Sequence, residues 1–89
     1  MIDWQNEIHY ACSEMERFLL DKNDAYGNSI FEPLNIFSKA DPLEQINVRI
    51  DDKLNRLFHG KEYPGDDTLK DLAGYYLLKR AYQRVTQGG

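Results

Sequence analysis

Apolar residues open the chain at Trp4, Ile8, Ala11, Cys12, Met15, Phe18 and Leu19. Steps of three and four residues place them on one face of an α-helix. Asp3 stands just ahead of this stripe as an N-cap. The polar run Asp21-Lys22-Asn23-Asp24 is where the pattern fades, and Ala25-Tyr26-Gly27-Asn28-Ser29 reads as a turn. Ile30, Phe31, Leu34, Ile36 and Phe37 follow, with Pro33 placed to open a short helix. That many apolar residues in a connection predicts that it packs against the helices.

A second helix is announced by Asp41 as cap, Pro42 at the first helical position and Glu44 three residues after the cap. Leu43, Ile46, Ile50, Leu54 and Leu57 mark its apolar face, and Gly60 is placed to end it. Residues 61–65 read as a loop. Asp66 or Asp67 then caps a third helix running to about Thr86. Its apolar positions, Leu69, Leu72, Ala73, Tyr76, Leu77, Leu78, Ala81, Tyr82 and Val85, cover more than one stripe. A helix apolar on so much of its circumference is expected to be buried on two sides. In a three-helix chain this predicts a partner subunit. Gly74 inside the helix costs about 1 kcal/mol relative to Ala, which a close helix crossing would explain. The expected fold is therefore all-α. It is a single domain over residues 1–89, with three main helices and a packed connection carrying a short helix. The expected assembly is a helical homo-oligomer, a homodimer or larger.

Composition narrows the functional classes. With 89 residues the chain buries roughly 60–65% of its unfolded surface. Its 42% hydrophobic and 12% aromatic residues suffice for a core and argue against disorder. A net charge of −4 argues against binding long nucleic acid, which needs a basic face, but allows a local basic pocket. The single Cys12 rules out an internal disulfide and a cysteine-based zinc site. It reads as a small buried hydrophobe. No apolar run reaches membrane-spanning length, and no signal peptide is visible, so no membrane partner is expected. The expected location is the cytoplasm, that of the host cell if the chain is phage-encoded.

The candidate chemistry lies in charged groups one helical turn apart. At 100° per residue, Arg49, Lys53 and Arg56 fall together beside the apolar stripe, with Asp52 next to them and Asp51 on the other side. They are either a solvated flank with an Asp52–Arg56 pair or a cradle for phosphates. On the third helix Asp67 and Asp71 share a face that Tyr75 continues. Like charges at this spacing repel by a few tenths of a kcal/mol. Asp67 suits a helix N-terminus. Asp71 calls for a cation, either one of Arg49, Lys53 and Arg56 or a Mg²⁺ shared with Asp52 and Asp67 and bridging to phosphates. Lys22 and Tyr26 flank a turn ending in Gly27, where a ring can stack on a base while backbone approaches the ligand. His9 and His59 have no metal-ligand spacing. Ser13 and Ser29 have no nucleophile arrangement, and no glycine-rich phosphate loop is present. No catalytic residue is assigned.

Four segments also carry a resemblance. They are Lys22-Asn23-Asp24-Ala25-Tyr26-Gly27-Asn28-Ser29, Pro33-Leu34-Asn35-Ile36-Phe37-Ser38, Val48-Arg49-Ile50-Asp51-Asp52-Lys53-Leu54-Asn55-Arg56-Leu57 and Asp67-Thr68-Leu69-Lys70-Asp71-Leu72-Ala73-Gly74-Tyr75. Over roughly residues 18 to 82 the chain resembles small phage and prophage proteins related to nucleotide-modification-associated domains. More distantly it is similar to MazG-like all-α nucleoside triphosphate pyrophosphatases. The resemblance implies an all-α oligomer with a small nucleotide as ligand. MazG-like enzymes hold Mg²⁺ with Glu-x-x-Glu on one helix and Glu-x-x-Asp on another. Here Glu14-Met15-Glu16-Arg17 departs from that pattern, and Asp51, Asp52, Asp67 and Asp71 are spaced differently. Three readings follow: a Mg²⁺-dependent nucleoside triphosphate pyrophosphohydrolase, a non-catalytic sponge for a nucleotide signal of host anti-phage defence, and a helical adaptor without ligand.

Overall fold

A computed structural model describes residues 1–60 and 64–88. Within them the chain forms α1 (Trp4–Tyr26), α2 (Pro42–His59) and α3 (Thr68–Thr86). Each start follows from a side-chain cap. The carboxylates of Asp3, Asp41 and Asp67 accept from the backbone N–H of Asn6, Glu44 and Lys70 at 3.2, 2.9 and 3.0 Å. Gly60 ends α2 in the left-handed conformation at φ 65°, its N–H donating to carbonyls of the last turn. The expected loop at residues 61–65 lies in part outside the described residues.

The α2–α3 hairpin is antiparallel and holds the core. Ile46, Ile50 and Leu72 are buried, with Ile30, Phe31 and Tyr75 packed around them. Burying an aliphatic side chain of this size contributes roughly 1.5–3 kcal/mol. Phe31 also lies parallel to Tyr82, ring centroids 6.4 Å apart, tying the connection to α3. Two ion pairs run along the seam, Lys53 Nζ to Asp71 at 3.4 Å and Arg56 to Asp66 at 3.2 Å.

α1 is held differently. It crosses α3 at Gly74, where a Cβ would lie 3.2 Å from Leu19 and 3.5 Å from Phe18. The close crossing expected of that glycine is present. Lys70 adds an ion pair to Glu14 at 3.1 Å and lies over the Phe18 ring, 4.7 Å from its centroid. No residue of α1 is buried.

Several expectations are corrected. α1 continues through Asp21–Asp24 to Tyr26, because four polar residues weaken a stripe without breaking a helix that Gly27, at φ 64°, ends. No helix forms at Pro33. A turn over residues 28–32 precedes it, with the Phe31 and Glu32 N–H groups donating to the Asn28 carbonyl. Ile30 and Phe31 pack on the core as expected, but Leu34, Ile36 and Phe37 are exposed, Phe37 at 96%. Cys12 is exposed, since its stretch of α1 has nothing packed over it. α3 is buried at Thr68, Leu72 and Gly74, while Tyr76, Leu77 and Val85 on its second stripe stay exposed.

Candidate functional site

The three helices and the connection border an open cleft of about 990 Å³. Ligand sites for small molecules fall in the range of about 300–1,000 Å³. Its apolar floor includes Phe18, Leu19, Ile30, Pro33 and Leu78, with the exposed Leu34 at its rim.

Each helix sends residues four apart onto the cleft wall. α1 gives Lys22 and Tyr26, α2 gives Arg49 and Lys53, and α3 gives Asp71 and Tyr75. Residues at this spacing lie above one another on one helix face, so each pair is a local consequence of helical periodicity. The pairs meet because the hairpin packs and α1 crosses at Gly74. Tyr75 also packs against the core, which fixes its ring, whereas Tyr26 is largely exposed at the end of α1. Gly27 follows Tyr26 on the wall, its positive φ suited to a residue without Cβ.

The cations differ in how far they are committed. Lys53 is engaged with Asp71, their side chains 17% and 28% exposed. Lys22 lies over the Phe18 ring, 5.0 Å from the centroid, with no carboxylate partner among the described residues. Arg49 makes no ion pair or hydrogen bond among the described residues. Glu32 and Asp71 are the carboxylates on the wall. The cleft therefore presents two uncommitted cations, one cation already neutralised, and two tyrosines.

The structure separates the remaining candidates from this group. Arg56 turns to Asp66 and is not on the cleft wall. Asp67 uses its carboxylate to cap α3. Asp52 is exposed on α2 and is also outside the cleft. Among the described residues no three of Asp, Glu, His and Cys gather as a metal-ligand group, so Asp52, Asp67 and Asp71 do not assemble one. Asp71 takes the cationic neighbour it called for, in Lys53.

Sequence reasoning missed Gln45, one turn ahead of Arg49 on the same wall. Its amide donates to the Ala40 carbonyl at 2.8 Å and to Asn35 Oδ1 at 3.2 Å, which holds the connection against α2. Asn35 itself has a positive φ of 56°, tolerated by Asn. A polar residue between the stripe positions Leu43 and Ile46 was the available signal. Phe18 and Leu19 were read as core stripe, and here they form floor.

No family model, curated protein or solved structure matches this chain. No helix among the described residues is long and apolar enough to cross a membrane.

Proposed function

We propose that the chain is a nucleotide-binding protein of the phage type it resembles, and that the cleft holds its ligand without turnover. The observation that carries this reading is the meeting of the Lys22–Tyr26, Arg49–Lys53 and Asp71–Tyr75 pairs on one wall. Phosphates seek the uncommitted guanidinium of Arg49 and the ammonium of Lys22. A base stacks on Tyr26, or between Tyr26 and the apolar floor, where ring contact contributes about 1–3 kcal/mol. Lys53 contributes less, because Asp71 already offsets its charge. The donor set does not suit a resident metal, so the reading uses none. A Mg²⁺ would arrive with the phosphates.

Calorimetry tests this with ordinary nucleotides, cyclic dinucleotides and ADP-ribose derivatives, with and without chelator. The expected result is micromolar or tighter binding of one class that survives chelation and leaves the ligand intact. Arg49→Ala should weaken it about ten-fold or more, the loss of a charge-assisted hydrogen bond. Absence of binding across the panel by folded protein would sink the reading.

A second reading, pyrophosphohydrolysis in the MazG-like manner, draws on Asp71 being on the cleft wall. It requires pyrophosphate release from a nucleoside triphosphate with Mg²⁺, abolished by Asp71→Asn. The adaptor reading draws on the paired seam, Lys53–Asp71 and Arg56–Asp66. It requires that Arg56→Ala and Asp71→Ala lower stability with no ligand found.

A further inference from the structure

The projecting part of α1 and the outer part of α3 are both unpartnered, and they are complementary. On α1, Trp4, Ile8, Ala11, Met15 and Phe18 recur at steps of four and three, the spacing of a helix-pairing seam. The part from Trp4 to Cys12 is exposed throughout, Trp4 at 67% and Ile8 at 62%. On α3, Leu77, Ala81 and Val85 are exposed as well. The charges oppose. Between residues 4 and 12 the charged residue is the carboxylate Glu7, and between residues 77 and 86 there are three cations, Lys79, Arg80 and Arg84, and no carboxylate. Glu7 on α1, and Lys79, Arg80 and Arg84 on α3, make no ion pair among the described residues. The ion pair that joins the two helices among the described residues, Glu14 to Lys70, has the same polarity.

We propose that the chain forms a two-fold homodimer in which the N-terminal half of α1 of each protomer lies antiparallel on the C-terminal half of α3 of its partner. The geometry follows from where the helices meet. Lys70 contacts Glu14, and Gly74 contacts Met15, Phe18 and Leu19, so the contacts advance together along α1 and α3. The free part of α1 thus extends beyond the start of α3, while the free part of α3 lies toward its end. At 1.5 Å per residue, a two-fold axis near the Gly74 crossing superimposes the two free stretches. One axis makes both contacts, as an isologous interface requires. Trp4 and Ile8 then cover Ala81 and Val85 of the partner subunit, and Glu7 meets Arg80 and Arg84 of the partner subunit. A second copy is the occupant because the acidic, seam-spaced helix and its basic counterpart are both carried by this chain. The interface stands apart from the nucleotide reading, since its readout is mass.

Sedimentation velocity over a concentration series tests it, with circular dichroism confirming helix content in every variant. The wild type should reach twice 10.4 kDa. Ile8→Glu should weaken the dimer about a hundred-fold, the loss of a central anchor. Glu7→Arg and Arg84→Glu should each weaken it several-fold, and the double swap should restore it. These charge variants bury nothing, so they remain informative if Ile8→Glu perturbs folding. Alkylation of the exposed Cys12, which flanks the seam, should slow as protein concentration rises. A wild-type monomer at about 100 μM, where a micromolar interface is saturated, overturns the proposal and leaves the face to a different protein. A dimer indifferent to Ile8→Glu and to the charge swap overturns it by placing the interface elsewhere.

Discussion

α2 and α1 carry apolar stripes of similar spacing, yet one is core and the other is surface. α2 buries Ile46 and Ile50 under α3, whereas α1, the longer helix, buries nothing. The connections account for the difference. α3 follows α2 within a few residues and packs alongside it, and the seam closes with Lys53–Asp71 and Arg56–Asp66. Residues 27–41 are a longer link that spends its own Ile30 and Phe31 on the hairpin. α1 is left to meet α3 at one glycine crossing. Periodicity states that a helix has an apolar face. The connection decides whether that face is covered within the chain.

The largest expected effect breaks the hairpin. Ile46, fully buried, loses its packing in Ile46→Ala, at a cost of about 2–5 kcal/mol. A domain of this size has few kcal/mol to spare, so the variant should be substantially unfolded at 25 °C in urea titration. Leu20→Ala on α1, at a site already 56% exposed, should change stability by less than about 1 kcal/mol. Equal effects at the two sites would show that α1 belongs to the same cooperative unit.

Next comes the crossing itself. Gly74→Leu places a side chain where Leu19 and Phe18 already lie, and α1 must move away. Hydrogen exchange should then quicken across Met15–Leu20 while the amides of Ile46 and Leu72 stay protected. Gly74→Ala should be milder. It gains about 1 kcal/mol of helix propensity, set against a 3.2 Å approach to the flexible end of Leu19.

How much of this was legible differs along the chain. The caps Asp3 and Asp41 and the Gly60 stop were readable, because capping is a local exchange between one side chain and the next turn, and the third cap was narrowed to Asp66 or Asp67, of which Asp67 serves. The Gly74 crossing was readable from its cost. The exposure of Cys12 and of Leu34, Ile36 and Phe37 was not, since burial depends on what packs above a residue. At the cleft, the Arg49–Lys53 and Asp71–Tyr75 spacings were visible, while Lys22 and Tyr26 were read as flanking a turn and not as neighbours on one helix face. Their meeting, and the departure of Arg56 to Asp66, depended on the angle at which α1 crosses. The choice of Lys53 over Arg49 as partner for Asp71 was equally out of reach, because both sit within one turn on the same face.

The caps give a smaller test of the same contrast. Asp41→Ala removes the hydrogen bond to Glu44 N–H at the start of a helix in the core, and should cost about 1 kcal/mol globally. In a domain of this size that lowers Tm by about 4–8 °C. Asp3→Ala removes the same kind of bond from α1, where it should fray the first turn and leave Tm nearly unchanged.

A small expected effect on stability is the most informative about the cleft. Lys53 and Asp71 are half-buried, so their pair lies between an exposed bridge of little consequence and a desolvated one that is costly to break. Asp71→Asn keeps the shape and removes the charge. Stability should fall by about 1 kcal/mol or less. If the wall binds phosphates, affinity for a nucleotide should rise a few-fold, because the Lys53 ammonium is no longer offset by a carboxylate at 3.4 Å. If the wall carries out hydrolysis, the same substitution should abolish pyrophosphate release without raising affinity. If the pair only fixes the register of the hairpin, stability should fall with no change in any ligand's binding. One conservative variant thus yields a different outcome for each of the three readings, and the comparison with Arg49→Ala, where affinity should drop and stability hold, separates a cation that waits for a ligand from one that the fold already uses.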